Sequence, residues 1–158
     1  MPVIYLTTLI RAPKEIVFDL SRSIDLHIRS MQHTNEKAVA GRITGLAEKG
    51  ETVTWQAKHF FKKRLLTVHI TEMKPYECFT DEMLQGDFKM MKHKHSFTFS
   101  DGITTMTDEF AFKVSFGLAG RLACALFLTS YMKKLLQQRN LIIKDYAETG
   151  NWKIILPS

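Results

Sequence analysis

From Gly41 to Val114 apolar and polar residues alternate over most of the chain, the period-two pattern of strands with one buried face. The clearest run is Met91-Lys92-His93-Lys94-His95-Ser96-Phe97-Thr98-Phe99. Met91, His93, His95, Phe97 and Phe99 share one side; Lys92, Lys94, Ser96 and Thr98 share the other. Asp101-Gly102 follows, a strong two-residue hairpin signal, and Ile103 to Val114 is the return strand. Val3 to Ile10, Ile43 to Ala47, Thr52 to Phe60, Leu65 to Met73, Glu77 to Leu84 and Phe88 to Phe99 read as further strands. Lys49-Gly50 joins two of them and sets Leu46 opposite Val53; Lys62-Lys63-Arg64 reads as a solvated hairpin tip. Gln32 to Lys37 is polar and reads as a loop.

The period changes twice. After the first strand, Pro13 stands where a helix tolerates it, in the first turn, and Ile16, Val17 and Leu20 form a stripe. Ile24, Leu26 and Ile28 follow as a second short helix. The last element is a long helix from about Leu118 to Ala147 with two apolar stripes. Leu118, Leu122, Ala125, Thr129, Met132, Leu136 and Ile143 form one; Cys124, Leu128, Tyr131, Leu135 and Ile142 form the other. One stripe must cover the sheet, and the other meets the short helices, a cavity or a second subunit, so a homodimer stays open. Gly150 stops the helix, and the apolar tail Trp152 to Leu156 docks on the body. The order is strand, two short helices, a meander and one long helix, in a single domain over 1–158. A twisted sheet curving around a long helix leaves space for a ligand.

The Asp101-Gly102 turn fixes a register in which Phe97 faces Met106, His95 faces Asp108 and His93 faces Phe110. Ionisable groups on such an apolar face must be hydrogen-bonded, paired or functional, since burying them alone costs several kcal/mol. Asp108 could hold one imidazole nitrogen of His95 and free the other as a base or ligand anchor, or the pair simply satisfies itself. His93 and His95 lie about 6.6 Å apart at Cα and point the same way. A metal would need a third ligand, His59 or Asp81; no compact motif backs one, and none is expected. Asp81 faces inward if the Gly86 turn has three residues, and Glu82 does if it has two.

Composition narrows the class. The chain is 45% hydrophobic and 24% charged, ordinary for a globular protein. The net charge of +6 comes without a dense basic stretch, so neither nucleic acid nor a membrane surface is indicated. The longest apolar run, Leu118 to Leu128, is too short and too broken to span a bilayer. Two distant cysteines, Cys78 and Cys124, and an N-terminus without a basic start fit a reducing cytoplasm. No phosphate loop or nucleophile elbow is present.

Several segments carry a resemblance: Ile10-Arg11-Ala12-Pro13 with Val17-Phe18, the run Gly50 to Phe60, Phe79-Thr80-Asp81-Glu82-Met83, Gly86-Asp87-Phe88, His93 to Phe97, and Gly117 to Leu122. In these and in element order the chain resembles the START-related SRPBCC superfamily, close to a bacterial ligand-binding subgroup of it. The resemblance covers nearly the whole chain. It implies an α+β helix-grip fold, a curved antiparallel sheet of about six or seven strands around the terminal helix. Asp87 and Met91 stand where that subgroup often has Pro and Trp, which alters the pocket wall.

The reading is a cavity for a hydrophobic or lipid-like small molecule, with no cofactor. Trp55, Met91, Phe97, Met106 and Phe110 form apolar walls; His59, Asp81, His93, His95 and Asp108 orient a polar head. Phe60, Phe61 and Phe88 fall near strand ends, at a pocket rim. The alternative is a polyketide cyclase, aromatase or dehydratase-like enzyme using His95 and Asp108 as proton carriers. A third class, a partner protein using the exposed stripe of the terminal helix, also stays open.

Overall fold

The computed structural model describes residues 1–114 and 118–157, with the side chains of 118–124 outside the description. Strand β1 (Val3–Ile10) leads into helices α1 (Lys14–Ser21) and α2 (Ile24–Ser30). Then come β2 (Lys37–Gly41), β3 (Thr52–His59), β4 (Lys62–Lys74), β5 (Cys78–Gln85), β6 (Met90–Ser100) and β7 (Ile103–Lys113). Helix α3 (Leu118–Thr149) and the short α4 (Trp152–Ile155) finish the chain. The strands form one sheet in the order β1-β7-β6-β5-β4-β3-β2, antiparallel throughout. This is the expected curved sheet closed by a long C-terminal helix, with two short helices after the first strand.

The β6–β7 hairpin has the expected register: Phe97 pairs with Met106, His95 with Asp108 and His93 with Phe110. Its turn, Asp101 (φ 52°) and Gly102 (φ 77°), is left-handed at both positions, as a hairpin matched to strand twist requires. Pairing of Asp81 with His93 and Glu82 with Lys92 turns Asp81 inward. The connection is neither of the expected turns: four residues, Gly86–Lys89, separate β5 from β6. Lys92 and Glu82 form a 2.9 Å ion pair on the outer face.

Three expectations fail, each for a local reason. Ile43 to Ala47 is no strand, and Leu46 does not face Val53. Asp25 captures this segment instead, accepting from the Gly45 backbone N–H at 2.8 Å and the Thr44 hydroxyl at 2.9 Å, while Leu46 bridges Ser23. The partner of β3 is β2, which starts at Lys37, the last residue of the expected loop; Asn35, left-handed at φ 52°, ends a short 3₁₀ turn ahead of it. Likewise Lys62-Lys63-Arg64 opens β4, and the hairpin tip is Phe60-Phe61, at φ 51° and 63°.

Gly41 (φ 72°) ends β2 where a Cβ would collide with the Thr52 carbonyl. Gly41→Ala should therefore cost more than the about 1–3 kcal/mol of a strained left-handed residue. Thermal unfolding checks this, with Gly50→Ala, which meets open space at φ 87°, reporting the strain alone.

Two apolar clusters fill the space between sheet and helices. One gathers Val53, Trp55, Val68, Met91, Phe110, Phe112 and Leu136. The other surrounds Phe18 of α1, which packs edge-on against Phe79 and Phe97 at 5.6 and 5.3 Å, with Met106 and Ile143. Helix α3 runs on to Gly150 (φ 78°), and Trp152, Ile155 and Leu156 dock on the second cluster as the tail's apolar pattern predicts. Cys124 and the start of the α3 stripes, Leu118 and Leu122, lie outside the described side chains.

Candidate functional site

A buried polar cluster lies where the two apolar clusters meet. His93 contacts the first through Phe110, edge-on at 5.2 Å; His95 stacks on Phe79 of the second at 4.1 Å. The two imidazoles lie 3.8 Å apart, centroid to centroid. Behind them sits Asp108, fully buried. Its Oδ1 is 2.9 Å from His93 Nε2 and 3.1 Å from His95 Nδ1, and its Oδ2 accepts from Asn140 Nδ2 at 2.6 Å. On the other side of His95, Nε2 is 3.1 Å from Asp81 Oδ1. Arg139 adds a buried cation, donating to the Ser21 carbonyl at 3.1 Å and to Asp108 Oδ1 at 3.4 Å. Among the described residues no buried side-chain nitrogen or oxygen lacks a partner.

These contacts set the protonation pattern. Burial, reinforced by the neighbouring His95 and opposed by Asp108, pushes His93 down to about 4, so it is neutral at pH 7. An ionised carboxylate only accepts, so His93 carries its proton on Nε2 and its Nδ1 bears a lone pair. Burial alone would raise Asp108, but the bonds from His93 and His95 and the charge of Arg139 hold it well below the ordinary carboxylate range. Asp81 follows the same logic: burial works upward, and the bond from His95 together with the charge interactions with His93, His95 and Arg139 outweighs it.

The cluster forms the inner end of a cavity between the sheet and α3. An inner chamber of about 170 Å³ is lined by Asp81, His93, His95 and Arg139 and walled by Trp55, Met91, Phe110 and Leu136 among others. An adjoining outer chamber of about 370 Å³ runs to Ala57, Phe60, Phe127, Leu128 and Tyr131. Trp55, His59, Leu66, Phe88, Met132 and Leu135 line both. The outer size falls in the usual range of ligand sites, about 300–1,000 Å³. At the rim Arg64 and Asp87 pair at 3.0 Å, so the aspartate that departs from the subgroup's pattern ties the β5–β6 loop to β4. Phe60 packs on Tyr131 and Phe127 at 4.7 and 5.5 Å, while Phe61 is almost wholly exposed.

The structure thus brings Trp55, His59, Asp81, Met91, His93, His95 and Phe110 to the cavity and Asp108 directly beneath it. Phe97 and Met106 are not walls of either chamber: α1 covers that end of the sheet, Phe18 packs on Phe97, and Ser21 Oγ lies 3.4 Å from the Met106 sulfur. His59 is set apart from the cluster; its Nδ1 is 2.7 Å from the Tyr131 hydroxyl, and burial lowers its pKa. Asp108 reaches both histidines, not His95 alone. Arg139 and Asn140 went unremarked in the sequence, although helical spacing from Leu136 to Ile143 passes through both. A polar residue inside an apolar stripe was the available signal.

No family model matches the sequence, and no curated protein matches it either. Solved structures do. A START superfamily protein from Mycobacterium smegmatis superposes with a TM-score of 0.70 at 10% identity, covering 93% of this chain and 97% of that one. The chain has the START-like helix-grip fold. Ginseng major latex-like protein 151 from Panax ginseng agrees with a TM-score of 0.66 at 13% identity over 92% of this chain and 97% of its own. A protein from Thermus thermophilus gives 0.69 at 17% identity, over 90% of this chain and 97% of that one. In a helix-grip fold the sheet is the palm and α3 the object grasped, and the two chambers lie between them. Among the described residues no helix is long and apolar enough to cross a membrane.

Proposed function

We propose that this chain binds one hydrophobic or lipid-like small molecule, its apolar body in the outer chamber and a polar head at the buried cluster. The observation that carries the reading is the pair of adjoining chambers, mostly apolar outside with Glu36 lining both, and ending inside on Asp81, His93, His95 and Arg139. The bare Nδ1 of His93 suits a head group that donates a hydrogen bond, such as a hydroxyl, and Arg139 suits an oxygen acceptor. Native mass spectrometry of freshly purified protein should show a bound apolar compound, or the protein should take up a naphthalene dye with one-to-one stoichiometry. Ala57→Phe, which fills the outer chamber from β3, should weaken dye binding at least tenfold and leave the melting temperature within a few degrees. Dye affinity unchanged in that variant would overturn the reading.

One observation favours an enzyme as the second reading: Asp108 holds His93 by Nε2 and the ring lines the inner chamber, the arrangement of an oriented general base. A cyclase- or dehydratase-like reaction on a carbonyl substrate would use it to carry a proton. Turnover that disappears in His93→Gln while dye binding persists would decide for this reading; a substrate screen without turnover leaves the binder.

A further inference from the structure

We infer that Asp81, His93 and His95 form a site for one divalent transition-metal ion of the zinc or ferrous class, at the inner end of the cavity. The three side chains come from neighbouring strands, and each offers a ligand atom within 4.8 Å of the others. A tetrahedral ion with bonds of about 2.1 Å holds its ligands about 3.4 Å apart. The His95–Asp81 edge, 3.1 Å, already has that span, and every edge lies within 4.8 Å. Two imidazoles and one carboxylate are the donor set such ions take.

The strongest argument lies behind the ligands. Metal-bound histidines are oriented by a carboxylate or carbonyl on their other nitrogen. Here one fully buried carboxylate serves both rings: Asp108 Oδ1 takes His93 Nε2 at 2.9 Å and His95 Nδ1 at 3.1 Å. That turns His93 Nδ1 and His95 Nε2 to the ligand side, His95 Nε2 lying 3.1 Å from Asp81 Oδ1, while Arg139 Nη2 also approaches His95 Nδ1 at 3.5 Å. Asn140 and Arg139 in turn fix Asp108.

Charge points the same way. Asp81 and Asp108, the two carboxylates of the cluster, face one guanidinium, Arg139, among its described residues. A divalent cation against Asp81 would balance the second carboxylate. The chamber beside the three ligands leaves room for a fourth, a water or the head group of a bound molecule. The inference stands whether or not an apolar molecule also binds.

The test uses the full chain after treatment with a chelator. Titration with Co²⁺ should give visible d–d bands that saturate at one equivalent, and Zn²⁺ should displace it. Asp81→Asn and His93→Gln should each weaken Zn²⁺ binding about 100-fold, whereas His69→Gln, on the outer face of β4, should bind like the parent. Circular dichroism establishes that the variants are folded. If they are not, X-ray absorption of the parent's Zn²⁺ complex decides: two imidazole ligands support the site, none overturns it. Absence of a one-equivalent phase, or equal binding in folded Asp81→Asn, also overturns it. Naphthalene-dye binding measured on the same metal-free samples separates failure of this site from failure of the apolar cavity.

Discussion

Asp108→Ala is expected to lower the unfolding free energy by about 3–5 kcal/mol, the usual cost of removing one partner from a buried ionic network. Asp108 is completely buried and, among the described residues, is the only carboxylate that reaches His93, His95, Asn140 and Arg139 together. Alanine leaves the Arg139 guanidinium, still buried, with the Ser21 carbonyl and the Asn140 side chain as its remaining oxygen partners among the described residues. It also frees both imidazoles to turn, so dye and metal affinity should fall with stability. Urea unfolding measures the effect. A loss below about 1 kcal/mol would mean that water replaces the carboxylate, and that the cluster is far less closed than its contacts indicate.

The second large effect is a loss of stability in acid. In the unfolded chain His93 titrates near its ordinary value of 6.5, and in the fold at about 4. Between those values the unfolded state binds the proton and the folded state does not, so lowering the pH draws the equilibrium toward unfolding. The difference is complete below pH 4, where both states are protonated. At 1.36 kcal/mol per pKa unit, stability should rise by about 3 kcal/mol from pH 4 to pH 6.5 on this account. Asp108 acts in the same direction at lower pH: its carboxyl titrates lower in the fold than in the unfolded chain, so its contribution is lost as acid protonates it. Unfolding in urea across this range, with chelator present, should show the slope, and His93→Gln should flatten it. A parent curve flat between pH 4 and 6.5 would place His93 in contact with solvent.

Much of the arrangement was legible because it is local. A run with His93 and His95 two residues apart, followed by Asp101-Gly102, has one favoured pairing, and that pairing sets His95 against Asp108. Other segments were not legible. The alternation through Ile43 and Leu46 looked like a strand, but a side chain from α2, Asp25, takes its backbone and hydroxyl donors. The Phe60-Phe61 tip carries no Gly or Asn to announce it, and Phe97 and Met106 share the cavity face of β6 and β7 yet lie under α1. Alternation assigns a face; it does not say which part of that face stays uncovered.

Sequence alone determined most of the strands, the long terminal helix and the β6–β7 register, since a two-residue turn and a period of two act over a few residues. Only the tertiary structure decided that Asp81 rather than Glu82 turns inward, because a four-residue connection carries no register of its own. Only it brought Arg139 and Asn140 onto Asp108 across more than thirty positions and left two chambers beside them. Where a helix settles over a curved sheet follows from the summed packing of the whole interior, and no short stretch of sequence contains that sum.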